Sequence, residues 1–547
     1  MPWGNRATSR NVSRLTIAIA ATLAAGLWAT STLSPTVEPR VLGTTIWSGA
    51  VSLPSGYTVA AGQTVELNPT TNTTVTMGAN LIVQGILRSA PVAGVTHVIK
   101  FTGINESAFV GGGNVPLSTD KGLWVTDAGK LDLAGTSKLA WTRATATLAA
   151  GATSATLQAV PTGWQVGDEI LIAPTEKPNV ANFSARHEVR TITSVSGSTV
   201  GFAALSYPHP AVTVKPGVSY GAEVANLTRN LRIEGQDATH RTHVWMKSSV
   251  PQSIRNVVIR YAGPQKGSPA DTVLGRYGLH FHRMGDGSRG SLVEGVVVRQ
   301  TGGTAFATHA SNGVTLRNTI SFDTQDAAYW YDPGAPEAPN DTLYDGALAG
   351  YARPTPKQNP GYRLTAFWLG LGSGNVCRRC VAFGVQGGKN ASGFGWPEGE
   401  FGVWVFEDSI AHNNKRDGIF VWQNHLSGHS IDRFVAYHNG YAGIEHGAYT
   451  NLYHYVESIL YGNGVAGVIL HAASHDAPPV TSFEKTYVDG AGVTKNAVLL
   501  ERPTNTDQPP TLWCGATILN LTGPAYLINY TGADATIAER LDIKGSC

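Results

Sequence analysis

Apolar and polar positions alternate through Leu279, His280, Phe281 and His282, and the alternation returns at a regular interval over the next two hundred residues. The pattern follows a small residue each time: Gly278, Ala305, Ala328, Ala366, Gly393, Gly418, Gly443 and Gly467. The spacings run from about 23 to 27 residues, except for one of about 38, and a repeat in the range of about 20 to 50 residues is the signature of a solenoid. The first residue after each anchor is large and apolar (Leu279, Phe306, Tyr329, Phe367, Phe394, Ile419, Ile444, Val468). In a strand these side chains face inward, so the second and fourth residues face outward.

Successive rungs of a β-solenoid lie about 4.8 Å apart, so equivalent outward positions are spatial neighbours. The fourth-position column reads His282, His309, Asp332, Gly370, and the second-position column beside it reads His280, Ala307, Trp330, Trp368. Imidazoles, a carboxylate and aromatic platforms are thereby expected on one face. The pattern predicts an all-β chain, with a parallel β-helix over 222–475, right-handed because parallel crossovers have that hand. Short glycine-bounded strands over 41–221 predict a separate β-rich domain before it. Residues 476–547, with Pro478-Pro479 and Pro509-Pro510, lose the interval and read as a terminal cap. The long interval points to a loop over 333–360 leaving the stack beside Asp332, placed to serve as a lid or substrate wall.

Composition narrows the classes. Only 14% of residues are charged and 63 are glycine, which suits short strands and tight turns rather than helices. A formal net charge of +2 without a basic run gives no footprint for nucleic acid, no nucleotide site is read, and a neutral or polar polymer remains as partner class; a monomer is expected. Residues 1–40 carry Arg6, Arg10 and Arg14, an apolar run from Leu15 to Ala29, and a small-residue exit, the order of an export signal. That predicts a secreted chain, or one held by an uncleaved N-terminal segment. Four cysteines (Cys377, Cys380, Cys514, Cys547) fit export. Cys377 and Cys380, at a rung corner equivalent to Leu316–Thr319, are read as a local disulfide or packed thiols. Asn312-Gly313, Asn439-Gly440 and Asn463-Gly464 read as turns, and His438, His446, His454 and His471 as surface or turn groups.

Several motifs in order carry a family resemblance over about 45–470: Gly129–Gly135 leading to Lys138–Thr142, Trp164 with Val166–Glu169, Glu223-Val224 with Leu227–Asn230, then Gly275-Arg276-Tyr277, Leu279–His282, Gly285-Asp286, Ser311–Gly313, Phe322-Asp323-Thr324 and Ala366-Phe367-Trp368. With these the chain resembles the extracellular proteins that join an eight-glycine (G8) domain to a right-handed parallel β-helix, whose animal members include cell-surface hyaluronidase. It departs from them at Gly278, where the family has Pro, and at Asp326-Ala327, where the family has Gly-His. The resemblance implies hyaluronan-type substrates.

Three readings fit these residues: an enzyme that cleaves the glycosidic bonds of an extracellular polysaccharide as a hydrolase or a lyase, a metal site, and a glycan-binding protein. For glycosidic hydrolysis, Asp323 or Asp332 serves as carboxyl catalyst, His309 or His282 as proton-transfer partner, and Arg276 as the grip on a uronate carboxylate. Trp330, Trp368, Tyr329, His280 and Asp286 are the candidate sugar contacts. In a lyase, the histidine would be the base and Arg276 would neutralise the carboxylate. A metal site would use His280, His282, His309 and Asp332, suited to zinc, manganese or iron, whereas calcium would prefer Asp286, Asp323 and Asp332. The third reading is a non-catalytic glycan-binding surface protein.

Overall fold

The structure is a computed structural model that describes residues 43–331, 338–358, 363–387, 391–396, 402–422, 428–447, 453–471, 481–501, 510–529 and 536–547. Asp332 and the export segment of residues 1–40 lie outside the described residues. The fold is a parallel β-helix. Three long sheets run its length, with 15, 14 and 14 strands, and each turn of chain contributes one strand to each. No helix among the described residues is long and apolar enough to cross a membrane.

The third sheet carries the repeat seen in sequence. Its register pairs Leu279 with Phe306, Phe306 with Tyr329, Tyr329 with Phe367, Phe367 with Phe394, Phe394 with Ile419, Ile419 with Ile444 and Ile444 with Val468. All eight are buried in one continuous core. Within it Phe306, Tyr329, Phe367 and Phe394 stack face to face at centroid spacings of 4.9, 4.3 and 4.9 Å. These are the offset distances that aromatic pairs favour, and the rung spacing sets them. The anchors are small because the next rung's backbone passes close by: a Cβ on Gly418 would lie 2.5 Å from the Gly443 carbonyl oxygen.

Three boundaries differ from expectation. The helix begins at Thr44–Trp47, the first strand of the first sheet, and not at 222. The β-rich N-terminal part is present but woven into the stack, because 44–134 form its first rungs. Between Lys130–Ala134 and Leu231–Glu234 the chain leaves to build a six-stranded antiparallel sheet running from Trp141–Arg143 to Glu223–Asn226. This sheet packs Leu171, Ala173 and Ala225 on second-sheet residues such as Val297, Ile320 and Leu348. It covers the outer face of the second sheet, which explains why that sheet is apolar on both sides.

The segment 333–360 does not leave the stack as a whole: Leu343–Asp345 and Leu348–Arg353 are strands of the first and second sheets, while residues 333–337 and 359–360, beside Asp332, lie outside the described residues. Residues 476–547 likewise continue the three sheets as far as Leu541–Lys544, where a disulfide joins Cys514 to Cys547. Pro510 and Pro524 lie just outside the strands, where a missing N–H breaks no ladder, and Pro478, Pro479, Pro503 and Pro509 lie outside the described residues. Cys377 and Cys380 are free, buried thiols inside the helix.

The turns also hold surprises. Gly313 has the positive φ of a turn, at 62°, but Asn439 and Asn463 are buried ladder residues. The Asn414 amide donates to Asn439 Oδ1 at 3.0 Å and the Asn439 amide to Asn463 Oδ1 at 3.0 Å. His438 and His446 are buried too, and burial holds them down at about 4 and about 3; His243 is held at about 3 in the same way. Their values rise toward 6.5 on unfolding, so below that pH the unfolded chain binds more protons. The stability they confer is complete above pH 6.5 and is lost as pH falls toward 3 to 4. The thermal unfolding midpoint is therefore expected to drop steadily from pH 6.5 to 4, and a flat profile across that window would contradict the burial of these imidazoles.

Candidate functional site

The outer face of the third sheet brings together three of the candidate residues. The strands Leu279–Gly285 and Phe306–Ser311 pair His282 with His309 and His280 with Ala307, and Ala307 with Trp330 on the next rung. One donor nitrogen from each of His280, His282 and His309 lies within 4.8 Å of the others. The His280 and His309 rings are parallel, 5.9 Å apart, and the His282 ring stands edge-on 4.9 Å from each.

All three side chains face outward yet are buried. Two connections lie over this face, 103–120 and 263–278, joined where the Gly112 N–H donates to the Leu274 carbonyl and Lys266 Nζ donates to the Phe109 carbonyl. Their hydrogen bonds set two imidazoles. His280 Nδ1 donates to the Gly275 carbonyl at 2.9 Å, which leaves Nε2 with its lone pair and no partner. His282 Nε2 is bonded to Asn114 Oδ1 at 2.9 Å and its Nδ1 is unpartnered. An N–H held by a carbonyl or amide oxygen fixes the tautomer and aims the other nitrogen, as the outer shell of a metal site does. Burial pushes His280 well below its ordinary value and, with the neighbouring His309, holds His282 at about 3. Imidazoles so reluctant to take a proton are weak general bases at neutral pH but are free to ligate a metal.

Beside His282 opens a cleft of about 570 Å³ whose lining includes Asn114, Thr126, Lys247, Arg283 and Met284. Lys247 and Arg283 both add to the depression of His282, which places two cations at the mouth. On the N-terminal side the same column continues as Trp245 and Trp124, paired in register with His280. Trp245 lies 5.0 Å from the His282 ring and is fully buried. The sequence pattern missed Asn114, Lys247, Trp124 and Trp245. Leu123-Trp124-Val125 and Val244-Trp245-Met246 do repeat the apolar-outward-apolar signature, but at intervals broken by the inserted sheet.

Other candidates stand elsewhere. Arg276 cannot grip a substrate: it is fully buried, ion-paired with Asp120 at 2.8 Å and stacked 4.5 Å over Trp124. Its alternation placed it near the site, and the covering loop occupies it. Asp323 sits within the second-sheet strand Ile320–Gln325 at an irregular position with φ 56°, bonded to Arg353, away from the imidazoles. Tyr329 faces the core, its ring between Phe306 and Phe367 and its hydroxyl 3.0 Å from Thr319, so it contacts no ligand. Asp286 lies in an exposed turn, bonded to Arg289 at 2.7 Å and Asn312 at 2.8 Å. Asp286 and Asp323 therefore form no calcium site together. Trp330 and Trp368 are half-buried, and Trp330 lies 5.5 Å from Tyr277.

The architecture defines a parallel β-helix protein with a covered imidazole cluster on one face. No family model matches the chain. By sequence it is similar to fibrocystin-L of Mus musculus (26% identity over 359 residues, 51% of this chain and 8% of that protein). It is similar as well to a G8 domain-containing protein of Dictyostelium discoideum (26% over 234 residues, 41% and 14%) and to human cell surface hyaluronidase CEMIP2 (29% over 140 residues, 22% and 10%). The resemblance to proteins that join a G8 domain to a β-helix is thus carried by sequence and fold together, although the chain spans under a fifth of these relatives' lengths. Among solved structures, the catalytic unit of a GH87 alpha-1,3-glucanase from Streptomyces thermodiastaticus aligns with 73% of this chain and 89% of its own, at TM-score 0.34 and 11% identity.

Proposed function

We propose that this chain is an extracellular enzyme that depolymerises an acidic polysaccharide, with a zinc-class divalent metal held by His280, His282 and His309. The observation that carries the proposal is the convergence of three buried imidazoles, two with fixed tautomers and unpartnered nitrogens, beside a cleft lined by Lys247 and Arg283. Nitrogen donors favour zinc over calcium. A bound zinc would polarise a water or a sugar oxygen. The chain's own groups would bind and orient: Lys247 and Arg283 attract carboxylates, and Trp330 offers a face for a sugar ring. The similarity to a relative whose name is cell surface hyaluronidase supports a polymer of the hyaluronan class, and it also supports action outside the cell.

The test incubates the purified chain, loaded with zinc, with hyaluronan and chondroitin, with and without chelator. Chelator-sensitive shortening with new reducing ends is expected. Shortening that chelator leaves untouched would remove the metal from the proposal, and retention of polymer without shortening would make the chain a binding module. Because His282 is held at about 3, zinc affinity is expected to stay nearly level from pH 8 to 5. A loss that tracks an ordinary histidine, beginning near pH 6.5, would contradict the buried geometry.

A further inference from the structure

The outer face of the third sheet continues past His282 toward the N-terminus, and there the column that holds His282 changes from imidazoles to other polar groups. Lys247 pairs with Thr126. The pairing of Met246 with Phe281 sets Lys247 beside His282, and that of Val83 with Val125 sets Gln84 beside Thr126. The column therefore reads His282, Lys247, Thr126, Gln84, at about 4.8 Å per rung. Its last three residues line the cleft of about 570 Å³ that opens beside His282, a size that takes a short oligosaccharide, since ligand clefts run from about 300 to 1,000 Å³. Unlike the imidazoles, all three are only half-buried.

Charge is distributed unequally along this trough. Lys247 and Arg283 stand at the imidazole end, and among the described residues no carboxylate pairs with Lys247. Asp127 lies toward the other end, exposed, at the close of the strand Leu123–Asp127 with φ 57°. Its Oδ2 accepts from Gln84 Nε2 at 2.9 Å and from Thr126 Oγ1 at 3.0 Å, which fixes the carboxylate on the Gln84 side and leaves Oδ1 open to a ligand. The rung spacing of about 4.8 Å is close to the length one sugar adds to an extended polymer, so a polymer laid along the solenoid axis meets these groups one sugar at a time. A sugar carboxylate beside Lys247 gains a charge-assisted bond. At the next sugar a carboxylate would face Asp127, and two like charges in one cleft repel, whereas Oδ1 suits an N–H or O–H donor.

We propose that this trough is a sugar-binding track running along the solenoid axis on the N-terminal side of the imidazoles, with Lys247 and Asp127 as its specificity-determining residues. Lys247 binds the carboxylate of the sugar nearest the imidazoles. Asp127 excludes a carboxylate from the following sugar and accepts a hydrogen bond from that sugar's amide or hydroxyl. The track thereby selects a polymer in which charged and uncharged sugars alternate over one in which every sugar is charged. The proposal rests on the reading that the chain engages acidic polysaccharide, but it needs neither the metal nor cleavage.

The experiment measures binding by calorimetry, with the full chain in excess chelator and tetrasaccharides of hyaluronan (alternating), galacturonate (fully charged) and N-acetylated chitin (uncharged) as probes. Wild type is expected to bind the hyaluronan probe at least about tenfold more tightly than either of the others, the share of one charge-assisted bond gained or one repulsion avoided. Lys247→Gln should cost the hyaluronan probe about tenfold and leave the chitin probe within about twofold. Asparagine tolerates the positive φ at position 127, so Asp127→Asn should keep the turn and tighten the galacturonate probe by about tenfold. Equal wild-type affinity for hyaluronan and galacturonate would overturn the proposal. So would a Lys247→Gln chain that weakens the hyaluronan and chitin probes alike, an Asp127→Asn chain with unchanged preference, or the absence of binding to any probe. Binding in the expected order without shortening of polymer would sustain this inference while the enzyme reading falls. Zinc-dependent shortening of hyaluronan and polygalacturonate at equal rates would overturn this inference and leave the enzyme reading standing.

Discussion

Replacing His280 or His282 with alanine is expected to weaken zinc binding by about 100-fold or more and to lower chelator-sensitive turnover by at least as much, because each supplies one of the three nitrogens that converge among the described residues. Asn114→Ala should act more mildly, by about 10- to 100-fold in affinity, since Asn114 only orients His282. Competition titration with a zinc indicator measures both, and the graded order separates ligand from support. Buried as they are, these histidines also pack against neighbours, so unfolding should be measured beside affinity. A His282→Ala chain that binds zinc as tightly as wild type would end the metal proposal. So would an Asn114→Ala chain weaker than His282→Ala.

Truncating the interior stack is expected to be the costliest single change to stability. Phe367 lies between Tyr329 and Phe394, with centroids 4.3 and 4.9 Å away, and has no exposure. Phe367→Ala removes the ring and opens a cavity that neighbouring rungs, tied by backbone ladders, cannot collapse to fill; the expected loss is about 3 to 5 kcal/mol. Tyr329→Phe keeps the ring and loses the hydroxyl's bonds to Thr319 and to the Leu348 carbonyl, so about 1 to 2 kcal/mol is expected. Denaturant unfolding followed by tryptophan fluorescence checks both. A loss under about 1 kcal/mol for Phe367→Ala would place the ring outside the core.

The repeat was legible because its signal is local. One large apolar residue after each small anchor forces the same face inward on every turn, and the eight residues from Leu279 to Val468 fall in register as the alternation requires. The same logic placed His282 beside His309. Strand alternation carries no signal for the loops laid over the sheet. Arg276 has the spacing of a site residue, but Asp120, more than 150 positions earlier in the chain, holds it in a buried pair. Tyr329 was read as a sugar contact from its chemistry although its own position in the repeat pointed it inward.

The amino-acid sequence by itself determined the β-helix, its register and the column that gathers His280, His282 and His309, because strand periodicity and rung spacing turn equal intervals into neighbours. Only the tertiary structure decided that these imidazoles are buried and aimed, since their hydrogen bonds come from covering loops with no repeat. It alone set the helix start at Thr44 and the six-stranded insert on the second sheet. It alone brought Arg416 onto both Asp417 and Glu445, because a carboxyl's partner depends on how each strand enters its sheet, which no interval encodes.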